Sequence, residues 1–188
     1  MPRPRSADRR NAILSAATRV VAEQGLGAAT AVIAKAAGVS NGSLFVYFDT
    51  KATLLNELYV ALKTEMNEAA MAGVAEDGDP REQLLCLWNQ WLRWATGNPD
   101  KRRVIAQLDV SDEISVASHQ IVRAGFSDMA QLVDRARMGG PTRDASLGFV
   151  LALLTAVAET TIDAIINEPA SSDAIAGLGF DAMWRMLT

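Results

Sequence analysis

The side chains of this chain best suited to chemistry are ones that bind rather than ones that react. Asn41, Ser43 and Tyr47 fall within seven residues, in the stretch Gly38-Val39-Ser40-Asn41-Gly42-Ser43-Leu44-Phe45-Val46-Tyr47-Phe48. At helical spacing Leu44, Phe45 and Phe48 share an apolar side, which leaves Asn41, Ser43, Val46 and Tyr47 facing elsewhere. Small polar residues on the outer side of a short helix suit the groove of a DNA duplex. Reactive groups are sparse by comparison. His119 is the lone histidine and Cys86 the lone cysteine, so no His/Cys metal set can be assembled. No phosphate-cradling glycine loop or Glu-x-x-His pair occurs, and Ser, Asp and His stand in no recognisable catalytic arrangement. An enzyme, a metal site and a bound cofactor are therefore not expected.

Several elements must hold that outer face in place. Ile33, Ala34 and Ala37 lie on one face of a preceding helix that Thr30 opens. Gly38 supplies the turn, where positive φ is needed. Val39 plugs the angle between the two helices, and Ser40 is a good N-cap for the second. This is the construction of a helix-turn-helix. Upstream, residues 7–24 read as a first helix with a stripe of Ile13, Ala17, Val20 and Val21 and with Leu14 beside it, ended by Gly25 and Gly27. Downstream, Asp49-Thr50 breaks the chain. Thr50 caps a fourth helix from Lys51 to about Ala75, with Leu54, Leu55, Leu58 and Leu62 on its apolar side. Glu76-Asp77-Gly78-Asp79-Pro80 is the clearest linker. Further helices are expected from Pro80 to Thr96, from Asp100 to about Leu108, and from a Ser111 cap to just before Gly139-Gly140-Pro141. Another runs from a Thr142 cap through Asn167, and the last from Ser171 or Ser172 to about Leu187. The expected fold class is all-α, with about nine helices. Residues 1–50 form a three-helix DNA-binding domain with a basic N-terminal arm, and residues 51–188 a helical bundle for effector binding and dimerisation.

The charge distribution agrees with a polyanion partner at one end. Residues 1–51 carry seven Lys/Arg against three Asp/Glu, a balance of +4, while the remainder carries eleven against nineteen, a balance of −8. The Pro- and Arg-rich arm through Ser6 either lies along phosphates or the minor groove, or is a plain solvated tail. It lacks the apolar core of a signal peptide. A single cysteine permits no internal disulfide and fits a reducing cytoplasm. The most apolar run, Phe149 to Ala158, is too short to span a bilayer and is followed by Glu159 and Asp163.

Residues 7 to about 62 resemble the TetR family of bacterial transcriptional regulators. The resemblance rests on Ile13 and Ala17, Gly25, Ile33-Ala34, Ala37-Gly38-Val39-Ser40, Gly42-Ser43-Leu44-Phe45, Tyr47-Phe48, Lys51 and Leu54-Leu55. It implies that Ser43, Tyr47 and Lys51 touch DNA backbone, with Lys51 at the positive start of a helix. It places Asn41 near a base edge or phosphate, and Gly42 where the backbone must come close to the duplex. Thr30 and Lys35 complete the expected DNA-binding set. The chain departs from the family pattern at Ala29, Ala31 and Val32, where hydroxyl or charged residues are common, and at Val46, commonly polar or aromatic. The rest of the chain is similar to the family only in being a helical bundle of the right length. There the resemblance implies a small-molecule pocket and two long C-terminal helices that build a homodimer.

Trp88, Trp91 and Trp94 stand at i, i+3 and i+6, so their rings fan across about a third of a helix circumference. Trp88 and Trp91, with Phe126, Met129 and Phe149 on other helices, would suit an apolar or aromatic effector; ordinary core packing is the plainer reading. Gln107, His119 and Glu159 are candidates to orient that effector. Leu151, Leu154, Ile162 and Ile166, with Phe180, Met183 and Trp184 on the last helix, are the candidate dimer interface. Together these features predict a cytoplasmic, homodimeric regulator, a repressor released from a palindromic double-stranded DNA operator by a small molecule. The alternative is a DNA-bound protein of the same fold whose bundle binds a protein partner and no small molecule.

Overall fold

A computed structural model describes the backbone of residues 4–188 and the side chains from Ser6 onward. The expectation of a basic arm at Met1-Pro2-Arg3 lies outside the described residues. Ten α-helices and one short 3-10 helix occur among the described residues, with no strand. They are α1 (Pro4–Gln24), α2 (Thr30–Ala36), α3 (Asn41–Tyr47), α4 (Lys51–Met71), α5 (Pro80–Gly97), α6 (Pro99–Asp109), α7 (Val116–Gly125), α8 (Ser127–Ala136), α9 (Leu147–Asn167) and α10 (Ser172–Leu187), with the 3-10 turn at Pro169–Ser171. The fold is all-α.

Two compact units emerge, and neither follows a boundary at residue 50. The first joins the chain through Thr64 to Asn98–Val122; the second joins Glu65–Gly97 to Arg123–Thr188. The divisions fall within α4, between α5 and α6, and within α7.

In the first unit α1 supplies the floor. Ile13, Ala16, Ala17 and Val21 are fully buried along one side, as their spacing predicts. Gly25, at φ +75°, ends the helix and donates its N–H to the Val21 carbonyl at 2.8 Å. Helices α2 and α6 pack on α1, with Ile33 and Ala34 from the former and Val104, Ile105 and Leu108 from the latter buried. The α1 helix begins at Pro4, three residues earlier than expected, so the arm is shorter than the sequence suggests.

In the second unit α5 is the central helix, covered by α8, α9 and α10. Helix α9 buries Val150, Leu154, Ala158, Thr161 and Ile162 on one side, and α10 buries Phe180, Met183 and Leu187. At 21 residues α9 is long and apolar enough to cross a membrane by length and composition alone. The apolar run Phe149 to Ala158, expected to be too short to span a bilayer, is thus part of a longer helix, one stripe of which is buried in the bundle and which carries Glu159 and Asp163.

Further boundaries differ from the sequence expectation; α4 ends at Met71 rather than near Ala75. The helix expected from Ser111 begins only at Val116, capped by Ser115, whose Oγ accepts the Ser118 N–H at 3.1 Å. It then breaks at Gly125-Phe126 into α7 and α8, which raises the count from nine to ten. The helix expected from Thr142 starts at Leu147, capped by Ser146 through the Phe149 N–H at 3.3 Å. Buried Arg137 holds the intervening loop, its Nη1 donating to the Thr142 and Ala145 carbonyls at 2.7 Å each. The Thr142 hydroxyl itself is buried and makes no hydrogen bond.

Candidate nucleic-acid interface and bundle cavity

The turn between α2 and α3 is closed entirely by backbone and one serine. Gly38 adopts φ +70°. Its N–H donates to the Lys35 carbonyl at 3.1 Å and the Val39 N–H to the Ala34 carbonyl at 3.0 Å, the two bonds of a Schellman motif. The Ser40 Oγ accepts the Ser43 N–H at 3.0 Å and lies 2.8 Å from the Ser43 hydroxyl. Leu44 and Phe48 are fully buried beneath α3, and the Arg10 guanidinium stands 5.4 Å over the Phe48 ring. Arg10 also pairs with Glu57 of α4. Thr50 caps α4 as expected, accepting the Thr53 N–H at 3.0 Å.

These contacts fix what α3 shows outward. Asn41 and Gly42 are exposed, Ser43 and Tyr47 are half-buried at its sides, and Val46 is 80% exposed. Lys35 is exposed in the last turn of α2, and Thr30 is half-buried at its start. Lys51 is the first residue of α4. One unit therefore carries all seven predicted DNA-binding residues, with Asn41, Gly42, Ser43 and Tyr47 on one short helix. Phe45 is 39% exposed rather than buried, so the core under α3 is narrower than the sequence implies.

Behind this face a polar cluster ties α4 to α6 and α7. The buried Tyr59 hydroxyl donates to Asp109 Oδ1 at 2.8 Å and lies 3.2 Å from His119 Nδ1. With its proton committed to Asp109, the phenol oxygen accepts from the imidazole. Lys63 Nζ pairs with Asp109 Oδ2 at 2.9 Å. Asn56 fastens the loop before α7, donating to the Glu113 carbonyl and accepting from the Ser115 N–H, each at 2.8 Å, and from the Ser118 hydroxyl at 2.7 Å. Burial, the hydrogen bond to Asp109 and its negative charge push the Tyr59 phenol well above its ordinary value near 10. The protonated phenol is thus favoured in the folded state, and its contribution is complete below pH about 10 and lost as pH rises through the raised folded value. Denaturant midpoints should fall with rising alkalinity above pH about 10, and Tyr59→Phe should flatten that fall.

The predicted effector residues are divided between the two units. Gln107 and His119 belong to the first unit, Gln107 beside Gly25 and His119 committed to Tyr59. Trp88, Trp91, Phe126, Met129, Phe149 and Glu159 belong to the second. Trp88 is 2% exposed, its Nε1 donates to the Ala176 carbonyl at 3.0 Å, and its ring lies 6.4 Å from Phe180. Trp94 is buried, with Nε1 donating to Glu65 Oε1 at 3.1 Å. Trp88 and Trp94 are thus core residues with satisfied N–H groups. Trp91, Phe126, Met129 and Glu159 are half-buried, and Phe149 is exposed on α9. A cavity of about 370 Å³ lies instead on another side of α5, lined by Asn89, Leu92, Arg93 and Thr96 with Ile165, Ser172, Asp173 and Ala176. None of the eight expected effector residues lines it. Among the described residues no group of His, Cys, Asp and Glu is placed to hold a metal ion.

The expected dimer residues divide as well. Leu154, Ile162, Phe180 and Met183 are buried inside the unit's own core and face no surface. Leu151 and Trp184 are half-buried, and Ile166 is 48% exposed. The apolar groups left outward on α9 and α10 are Phe149, Ile166 and Leu178, with small Ala152, Ala156, Ala174 and Ala182.

A turn of this geometry, a capped second helix with polar residues outward and a basic rim define a helix-turn-helix DNA-binding protein. Residues 13–58 match the sequence model of the bacterial regulatory proteins of the tetR family. Over nearly its whole length the chain is similar to a candidate tetR family transcription regulator from Shewanella sp. PV-4, at 25% identity and TM-score 0.84, covering 94% of this chain and 96% of that one. It shares its fold with a TetR family transcription regulator from Marinobacter aquaeolei VT8, at 23% identity, TM-score 0.84 and 98% coverage of both chains. It also shares it with the transcriptional regulator FadR from Bacillus subtilis in complex with stearoyl-CoA, at 18% identity and TM-score 0.67, covering 90% of this chain and 97% of that one. The match to the tetR family is thus carried by residues 13–58, and the fold of nearly the whole chain is that of TetR family transcription regulators.

Proposed function

We propose that this protein is a cytoplasmic, homodimeric repressor that leaves a palindromic operator when a small molecule binds its helical bundle. The observation that carries the DNA half of this reading is the α3 face. Asn41, Gly42 and Ser43 project from a helix whose opposite side is locked by Leu44 and Phe48. Asn41 and Lys35 are the candidates for base edges, and Thr30, Ser43, Tyr47 and Lys51 for phosphate. Two such heads, paired through the outward apolar groups of α9 and α10, would enter successive major grooves about 34–36 Å apart. The ligand half is supported by the cavity beside α5 and by the fold shared with a regulator bound to stearoyl-CoA. An effector releases DNA only by binding one head spacing better than another.

A second reading is favoured by the packed indoles. Trp88 and Trp94 are buried with their N–H groups satisfied within the unit, as expected of a packed bundle that engages a protein partner instead of a small molecule. The test is a salt-dependent binding titration on genomic duplex fragments, with and without a long-chain acyl-CoA. Ligand-induced release supports the effector reading; release by a protein partner alone supports the second. In the same titration Lys51→Ala should flatten the logarithmic salt dependence by about one unit for each head. An unchanged slope would remove Lys51 from the phosphate contacts.

A further inference from the structure

Helix α3 presents an aliphatic side chain to solvent. Taking 100° for each residue, Val46 stands about 180° from the mean direction of Leu44 and Phe48, at the centre of the outward face. It is 80% exposed, while Leu44 and Phe48 are fully buried. Gly42 lies one turn earlier on the same face. The fold does not require glycine there: its φ is not positive, and a Cβ would meet only the Ser40 Oγ, at 4.0 Å. Glycine in the first turn of this helix answers no backbone need of the fold and leaves the outward face open beside Val46. Val32 of α2, 38% exposed, adds a further apolar group to a unit whose rim carries Lys35 and Lys51.

We propose that Val46 reads the 5-methyl group of thymine in the major groove, and that Gly42 provides the clearance for it to arrive. Thymine alone among the four bases presents a methyl group there, and an aliphatic side chain is the matching contact. Valine has neither donor nor acceptor on its side chain, so it distinguishes bases by shape and desolvation rather than by hydrogen bonds. This rests on the assignment of α3 as the recognition helix and adds the chemistry by which it selects sequence.

Uracil substitution removes the methyl group and nothing else. The full chain is used to enrich a sequence from a random duplex pool, and each thymine of that sequence is replaced singly by uracil. At least one thymine in each half-site should lose about fourfold in affinity, the effect of one buried methyl-sized group. Val46→Ala should bind the thymine site more weakly and no longer distinguish it from the uracil site, while keeping the parent's salt slope. Gly42→Ala should melt no lower than the parent yet bind the site less tightly. Retained uracil sensitivity in Val46→Ala, or no sensitive thymine at all, overturns the proposal. A pool that yields no enriched sequence overturns the DNA-reading assignment as well, so the two failures are distinguishable.

Discussion

Gly179→Ala should destabilise the second unit by about 2–3 kcal/mol, the upper part of the range for overpacking a filled core. Alanine is ordinarily the better helix former by up to about 1 kcal/mol, so propensity alone predicts the opposite sign. The site decides against propensity. A Cβ on Gly179 would stand 2.8 Å from Trp88 Cζ2 and 2.9 Å from Thr161 Cγ2, and closer still to Thr161 Oγ1. Neither neighbour is free to yield. The Trp88 indole is held by its bond to Ala176, and the Thr161 hydroxyl donates to the Val157 carbonyl at 2.7 Å. Thermal or denaturant unfolding followed by circular dichroism checks this, and adding Thr161→Ala should recover part of the loss. A gain in stability from Gly179→Ala alone would show that α10 does not approach α9 and Trp88 as described.

Phe48→Ala should cost about 3–5 kcal/mol, the usual range for truncating a fully buried phenylalanine. Against a domain stability of about 5–15 kcal/mol that is a large fraction. Phe48 closes the core beneath α3, and its N–H ends that helix by donating to the Leu44 carbonyl at 3.0 Å. Losing the ring frees α3 from its support, so DNA binding should be lost together with the lowered unfolding midpoint. Phe48→Leu, which keeps most of the volume, should restore much of both. A variant with parental stability and no DNA binding would instead make Phe48 a contact residue.

What was legible in the sequence was what local chemistry decides. Gly38 and Ser40 specify their own turn and cap, because a positive φ and a serine oxygen one turn ahead need only neighbouring residues. The α3 core pair and the Thr50 cap were readable on the same grounds. The start of α7 was not. Ser111 and Ser115 are equally good caps by type, and the choice between them is made by Asn56, whose Oδ1 takes the Ser115 N–H and Ser118 hydroxyl from another helix. The tryptophans admitted two readings, pocket wall or core, for a related reason. Their spacing fixes how the rings fan, but Gly179 lets α10 close over Trp88, and that approach turns a candidate pocket wall into core. On α9 the apolar residues surround much of the helix, so periodicity could not say that Leu154 and Ile162 point inward while Phe149 and Ile166 point out.

The placement of the aromatic side chains has an optical consequence. All four tryptophans lie in the second unit, and both tyrosines lie in the first, Tyr47 on the DNA face and Tyr59 in the polar cluster. Excitation at the red edge of indole absorption therefore sees only the second unit, which holds none of the proposed DNA contacts. If indole emission changes when operator duplex is added, the signal has crossed from the reading head into the bundle. The native protein thus carries its own reporter of that coupling, with no label attached.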